Sequence, residues 1–244
     1  PDAGIRDCCL SRGLGDVYKR QLLDGGMGQE LMRRSPSPAH HHWSLQVMLE
    51  QPELVAEVHR DFCEAGAGVA CLNTYAITHT RLARGSGLPP IGSLLNDARD
   101  LAQQGVGASG RSGTALVTSL PPLVASYRPD TQLPLEQAIQ EYRELIELQA
   151  ENVDGFLAET IPSIAEATAV LTAADQAGVR IMLGLTVADD NGELLRSGEP
   201  LADALAAIDE NTLRGAIRRA GVAAAINCGR SGCNPPWRDE LETM

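Results

Sequence analysis

Basic residues are in short supply in this chain. Against 32 Asp and Glu it carries 20 Lys and Arg, a formal charge of −12, and Lys19 is its only lysine. A protein that grips nucleic acid needs a basic face to neutralise phosphates, so this balance excludes nucleic acid as a partner. It equally excludes polybasic attachment to an anionic membrane surface. With no lysine in the body of the chain, Schiff-base catalysis is excluded too. No stretch approaches the roughly 18 uninterrupted apolar residues of a membrane-spanning helix. The N-terminus lacks the apolar centre of a signal peptide, being interrupted by Arg6, Asp7, Arg12, Asp16, Lys19 and Arg20. The cysteines, at positions 8, 9, 63, 71, 228 and 233, do not make the regular framework of a small secreted disulfide protein. They point to a reduced, cytoplasmic protein.

What is present is the composition of a globular protein, with 43 % apolar and 21 % charged residues in 244, enough for a substantial core. Pro1 in place of Met marks a processed chain or a fragment. Residues 1–21 show no helical or strand period and are expected to be a non-native or disordered leader. Residues 229–244 turn abruptly polar around Pro235-Pro236 and are expected to be an irregular tail. Between them, 22–228, short apolar runs alternate with helical patterns. Strands are expected at Leu22-Leu23, Val69 to Leu72, Thr114 to Ser119, Phe156 to Thr160, Arg180 to Val187 and Val222 to Asn227. Helices are expected over 52–65, 92–104, 134–151, 163–177 and 201–208, the last extended by a second segment over 212–219. Six strand-then-helix units with strands apolar on both faces predict a parallel sheet covered by helices. An open doubly wound sheet and a closed (β/α)8 barrel both fit this pattern.

Ligands of such folds bind at the carboxyl ends of the strands. Those ends read Asp24-Gly25-Gly26, Asn73-Thr74-Tyr75, Ser119, Glu159-Thr160, Thr186 and Asn227-Cys228, a polar and thiol-bearing set on otherwise apolar strands. Glycines at 25, 26 and 28 follow the first strand, but the third glycine of a dinucleotide fingerprint is missing.

At these residues a family resemblance emerges. Leu22-Leu-Asp-Gly-Gly-Met-Gly-Gln-Glu-Leu31 resembles the opening strand and turn of the homocysteine S-methyltransferases. The resemblance continues through Trp43-Ser44, Pro52-Glu-Leu-Val55, Val58-His-Arg-Asp-Phe62, Asn73-Thr-Tyr-Ala76 with Arg81-Leu82, Ser126-Tyr-Arg-Pro-Asp130, Glu159-Thr-Ile-Pro162, Gly198-Glu-Pro-Leu201 and Ile226-Asn-Cys228. It implies a (β/α)8 barrel and transfer of a methyl group from an onium donor, S-methylmethionine, betaine or S-adenosylmethionine, to the homocysteine thiol, giving methionine. It further implies that Asp24 and the Gly25-Gly26 backbone hold the amino-acid end of homocysteine, that Glu159 accepts from its ammonium group, and that Tyr75 shelters the donor cation. Cys228, with Asn227 beside it, matches the first of three cysteine ligands to Zn²⁺. The adjacent Cys-Cys pair that completes the family's site has no counterpart after Cys228. The resemblance therefore implies a barrel truncated after about six βα units and a chain that does not turn over. Ser119-Leu-Pro-Pro122 departs from the family's pattern of Gly before Pro.

The remaining features have plainer readings. His40-His41-His42 falls in a loop and is not expected to bind metal. His59 is expected on the exposed side of the 52–65 helix, and Cys63 and Cys71 in packed positions. On the 134–151 helix, Leu135, Ile139, Tyr142 and Ile146 are expected to face the core and the acidic residues to face solvent. Gly105 to Gly113 and Gly192 to Gly198 read as loops. Two alternatives to the methyltransferase stand beside it: another barrel enzyme such as a lyase, and a non-catalytic barrel that binds an amino acid.

Overall fold

Helices and strands in this chain begin and end where local chemistry directs them. Helix α1 spans Met27–Arg34, α2 Ser44–Glu50 and α3 Pro52–Glu64, the last with proline in its first turn, where a missing N–H costs nothing. Strand β1 is Val69–Cys71, followed by the single turn α4, His79–Leu82, whose Thr78 side chain caps the Arg81 N–H. Then come α5, Ile91–Ala108; β2, Ala115–Leu120; α6, Leu135–Glu147; and β3, Gly155–Ile161. Helix α7, Ile164–Gln176, starts at Ser163, whose hydroxyl accepts from the Glu166 N–H; β4, Ile181–Leu185, and α8, Leu201–Thr212, complete the order. The computed structural model describes residues 22–37 and 42–212. The expected strand at 222–227, the segment at 213–219, the leader and the tail lie outside the described residues.

The four strands form one parallel sheet in the order β1-β2-β3-β4, and Leu23 adds a parallel bridge to Val69 on the free side of β1. Strand order thus follows chain order without reversal. A doubly wound sheet reverses direction at a switch point, whereas a barrel adds each new strand beside the last. The two architectures left open by the hydrophobic pattern are distinguished here, and the described residues form an arc of a (β/α) barrel.

Alternation along the strands gives the sheet two distinct faces. Ala70, Leu72, Leu116, Leu120, Phe156, Ala158, Leu183 and Leu185 pack outward under the helices. Val69, Ala115 and Val117, with the partly buried Cys71, Leu157 and Met182, line the inner face. Strand β3 carries one extra residue between the pairs Ala158↔Leu183 and Ile161↔Leu185, and Thr160 there adopts φ 64°. A β-branched residue in that region is strained. The bulge lets Glu159 stay on the inner face while Ile161 returns to the outer core.

Four expectations are corrected. His59 is fully buried, not exposed, in the seam between α3 and α5; the angular width of the buried stripe on α3 takes it in because Gly105 opposite has no side chain. Gly105 belongs to α5, which runs to Ala108 rather than ending at 104. On α6, Glu141 is buried and accepts from the Thr80 N–H (2.9 Å) and hydroxyl (2.6 Å), while Leu135 at the helix start is exposed. Cys63 is buried as expected, but Cys71 is only half-buried and faces the inner side.

Neither ring nitrogen of His59 has a hydrogen-bond partner, and burial pushes its pKa down to about 4. Between the ordinary value near 6.5 and 4 the unfolded chain therefore binds a proton that the folded chain refuses. Stability attributable to this group is unaffected above pH 7 and falls as pH drops, by about 3 kcal/mol at the lower end. Because Asp24 titrates with the opposite sign in the same range, the His59 contribution should be read as a difference: in denaturant unfolding from pH 7 to 4.5 the parent should lose stability relative to His59→Leu. An unchanged pH slope in that variant would show that His59 is not the group responsible.

Candidate functional site

The inner-face polar residues gather at the carboxyl ends of the strands, and the backbone there is built to hold them. The Asp24 N–H donates to the Val69 carbonyl (3.0 Å), so Asp24 ends the first strand's pairing. Its Oδ2 then accepts from the Cys71 N–H (2.8 Å), a position a strand carbonyl would otherwise occupy. One carboxylate oxygen is thereby fixed by the sheet. Gly25 and Gly28 are required by close approach. A Cβ on Gly25 would lie 2.6 Å from the Phe62 ring, and one on Gly28 would lie 2.4 Å from the Trp43 indole. Gly26 caps α1 without a side chain, leaving the helix's first N–H groups without a side-chain acceptor.

Glu159 projects from β3 on the same side and accepts from the Ser119 hydroxyl of β2. Thr74 locks the neighbouring strand ends together: its hydroxyl donates to the Ser119 carbonyl (2.8 Å) and accepts from the Ser119 N–H (3.1 Å). Asn73 turns away and donates to the Ser44 carbonyl (3.2 Å). Tyr75 meets the Ser126 hydroxyl at 2.7 Å, stands edge-on to Trp43 with ring centroids 6.0 Å apart, and has the Arg81 guanidinium 5.1 Å from its ring centre.

Asp24, Cys71, Tyr75 and Glu159 form one electrostatic neighbourhood. Burial pushes the Asp24 carboxyl up to about 7, and the nearby Glu159 adds to the shift against the pull of the Cys71 N–H. Burial also raises Glu159, offset in part by the Ser119 hydrogen bond. The Cys71 thiol lies well above its ordinary range because it is desolvated and faces both carboxyls. It is therefore a protonated thiol at neutral pH, not a nucleophile. Burial raises Tyr75 as well, opposed by hydrogen bonds from Ser126 and Thr160. Neither Asp24 nor Glu159 pairs with a cation among the described residues, so the site as it stands is two carboxyls awaiting positive charge.

The structure brings together Asp24, Gly25, Gly26, Tyr75 and Glu159, drawn from three separate strand ends. Asn227 and Cys228 lie outside the described residues. Among the described residues no group of three His, Cys, Asp or Glu is placed to hold a metal ion. Of the three adjacent histidines, His42 is buried, and a Cβ on Gly85 would lie 2.2 Å from its Nε2. The sequence reading assigned no role to Trp43, Arg81, Ser126 or Cys71. The family landmark Trp43-Ser44 was the available signal for the first. For the others, the hydrogen-bond partners at the site lie more than forty positions away, and spacing carries no sign of them.

Comparison with known proteins identifies the relatives of this arrangement. The model of a family described as homocysteine S-methyltransferase matches residues 21–235. Homocysteine S-methyltransferase of Escherichia coli (strain K12) is 33 % identical over 211 residues, covering 80 % of this chain and 67 % of that protein. Homocysteine S-methyltransferase YbgG of Bacillus subtilis (strain 168) is 25 % identical over 249 residues, covering 93 % of this chain and 75 % of that one. The crystal structure of the homocysteine methyltransferase MmuM from Escherichia coli in its metallated form superposes with a TM-score of 0.69 at 28 % identity, covering 82 % of this chain and 73 % of that one. Its oxidized form gives a TM-score of 0.71. The chain is shorter than each of these relatives. No described helix is long and apolar enough to cross a membrane.

Proposed function

This chain belongs to the homocysteine S-methyltransferase family, and on that premise we propose that its strand-end site binds homocysteine by the amino-acid end and an onium methyl donor beside Tyr75. The proximity of two buried, cation-free carboxyls, Asp24 and Glu159, at the strand ends is the observation that carries the reading. An ammonium group placed between them supplies the missing positive charge. The first-turn N–H groups of α1, reached past Gly25 and Gly26, suit the substrate carboxylate. The aromatic corner of Tyr75 and Trp43 suits a sulfonium or quaternary ammonium centre. Methyl transfer is then an in-line displacement. The homocysteine sulfur forms a bond to the methyl carbon, the carbon–onium bond breaks with its electron pair leaving on the donor, and the thiol proton is released. The chain's own residues orient both partners and exclude water. Asp24 and Glu159 fix the acceptor, Tyr75 and Trp43 the donor.

In this family Zn²⁺ favours the thiolate form of homocysteine. The described residues do not fit such an ion: Asp24, Cys71 and Glu159 share a neighbourhood but make no ligand set. Cys228 lies beyond them, and a zinc site needs at least three protein ligands. We propose that the 244-residue chain binds its substrate without turning over. A cytoplasmic setting is part of the proposal; among the described residues Cys63 and Cys71 are free thiols.

Two measurements test this. Calorimetric titration with L-homocysteine should show binding by the purified chain. A methyl-transfer assay with S-methylmethionine and added Zn²⁺ should yield no methionine. Methionine formation would overturn the binding-only reading, and absence of binding would overturn the assignment of the site.

A further inference from the structure

The loop that follows β2 is held by a feature that the substrate-binding residues do not explain. Pro121 and Pro122 cannot donate, so this loop is anchored through its carbonyls. Four consecutive ones accept from side chains. Pro121 accepts from the Tyr142 hydroxyl (2.8 Å), Pro122 from Arg81 Nη2 (2.7 Å), Leu123 from the Thr78 hydroxyl (3.2 Å) and Val124 from Arg84 Nη2 (2.7 Å). Glu166 closes the far side, accepting from the Leu123 N–H at 3.0 Å. The loop delivers Ser126 to the Tyr75 hydroxyl, and Arg81 Nη2 reaches that same Ser126 hydroxyl at 3.3 Å.

Arg81 is out of place by ordinary electrostatics. Its guanidinium is largely withdrawn from water, makes no ion pair with a carboxylate among the described residues, and leaves its buried Nε without a hydrogen-bond partner. A desolvated cation lacking an anion is costly. A methionine or leucine would fill the space beside the Tyr75 ring at far lower cost. What arginine supplies is the combination seen here: a planar cation lying over the ring, 5.1 Å from its centre, whose Nη2 reaches both the Pro122 carbonyl and the Ser126 hydroxyl.

We propose that Arg81 is a positioning residue for the methyl donor. It fixes the plane of the Tyr75 ring by stacking and the direction of its hydroxyl through Ser126. This rests on the reading that Tyr75 faces the onium centre, and it adds that the donor side of the site is set by the loop after β2 rather than by Tyr75 alone. Arg81 touches neither substrate. Its effect should therefore fall on the donor and spare homocysteine, which is held from Asp24 and Glu159 on other strands.

The test uses the full 244-residue chain carrying Trp237→Phe, so that Trp43, edge-on to Tyr75, is the only tryptophan and its fluorescence reports the donor side. S-methylmethionine is titrated by fluorescence and L-homocysteine by calorimetry against Arg81→Met, Arg81→Lys, Ser126→Ala and Tyr75→Ala. Arg81→Met is expected to weaken S-methylmethionine about tenfold and homocysteine less than twofold, with Arg81→Lys recovering little because it lacks the planar guanidinium that lies over the Tyr75 ring. Arg81→Met combined with Ser126→Ala should cost less than the product of the single losses, since both act through one hydroxyl. A folded Arg81→Met chain that binds S-methylmethionine like the parent overturns the inference. So does one that weakens both ligands equally, which is the mark of a merely structural residue. If Arg81→Met does not fold, Ser126→Ala decides by the same two criteria. Tyr75→Ala separates the premise: should it leave S-methylmethionine affinity unchanged, the donor reading fails and the Arg81 inference fails with it.

Discussion

Replacing Asp24 by Asn, or Glu159 by Gln, is expected to weaken L-homocysteine binding by about 100-fold, equivalent to roughly 3 kcal/mol for removing one partner of a desolvated charge contact. The effect carries a pH signature. In the unliganded site burial holds Asp24 near 7 and raises Glu159, so at pH 6.5 the Asp24 carboxyl is mostly protonated. An ammonium group favours the ionised carboxylates, and binding must therefore expel protons. Affinity should rise with pH through 7, by up to roughly tenfold per unit below the Asp24 value, and level off above it. Calorimetry at pH 6.5 in two buffers of different ionisation enthalpy would count the protons released, and Asp24→Asn should lower that count. Affinity that is flat from pH 6 to 8 would show that the carboxyls are not the ammonium site. Stability should move the other way. A folded pKa raised above the unfolded value of 3.8 means the folded chain binds the extra proton between 3.8 and 7, so the stabilisation is lost as pH rises. Asp24→Asn removes an unpaired buried charge and should leave the unliganded chain more stable at pH 8, while impairing binding.

The second large effect is expected at Gly105→Ala. In the interior of a helix this exchange ordinarily stabilises, by about 1 kcal/mol. Here the new methyl would lie 2.3 Å from the Ala56 carbonyl oxygen, 2.7 Å from His59 Cβ and 3.0 Å from the Arg60 nitrogen. Two of these are backbone atoms of α3, which cannot swing aside as a side chain can. Helices α3 and α5 must separate, and the cost of overpacking, about 3 kcal/mol, outweighs the propensity gain. Gly107, two positions on in the same helix, has nothing within 4 Å of its would-be Cβ. Gly107→Ala should therefore show the ordinary gain of about 1 kcal/mol. Chemical denaturation of the two variants side by side checks the contrast, and equal shifts would refute the close helix contact. The same contact explains the burial of His59, because the seam is narrow enough to desolvate the ring without offering it a partner.

The longer helices and the strands of the sheet were legible in the amino-acid order because each is a local matter, whereas α1, α2 and the single turn α4 were not anticipated. Pro52 opening α3, Ser163 capping α7, Gly178 ending it and the β-branched run of β2 each act within a few residues. The period of the apolar residues also placed Asp24, Ser119 and Glu159 at strand ends. Membership of the family was legible too, since its landmarks occur in order along the chain. The period-2 pattern alone could not choose between a barrel and a doubly wound sheet. Both bury their strands on each face, and the difference lies in which strand becomes whose neighbour. That was decided by the order β1-β2-β3-β4.

Tertiary structure likewise decided the properties of the site. An aspartate after Leu23 could be read as a strand-end polar group, but its raised pKa comes from burial beside Glu159, a residue 135 positions away. His59 looked like a surface residue because its partner in the seam is an absence, the missing side chain of Gly105. Arg81 stood in the sequence only as part of the Arg81-Leu82 landmark, and the reach of its Nη2 to the Pro122 carbonyl and the Ser126 hydroxyl is a contact through space. The bulge at Thr160 that keeps Glu159 facing inward is a mismatch of register between β3 and β4, which neither strand encodes alone. Secondary structure and strand-end polarity are set by neighbours along the chain and can be read there. Protonation, burial and the choice of hydrogen-bond partner depend on neighbours through space, and they exist only once the strands have been laid side by side.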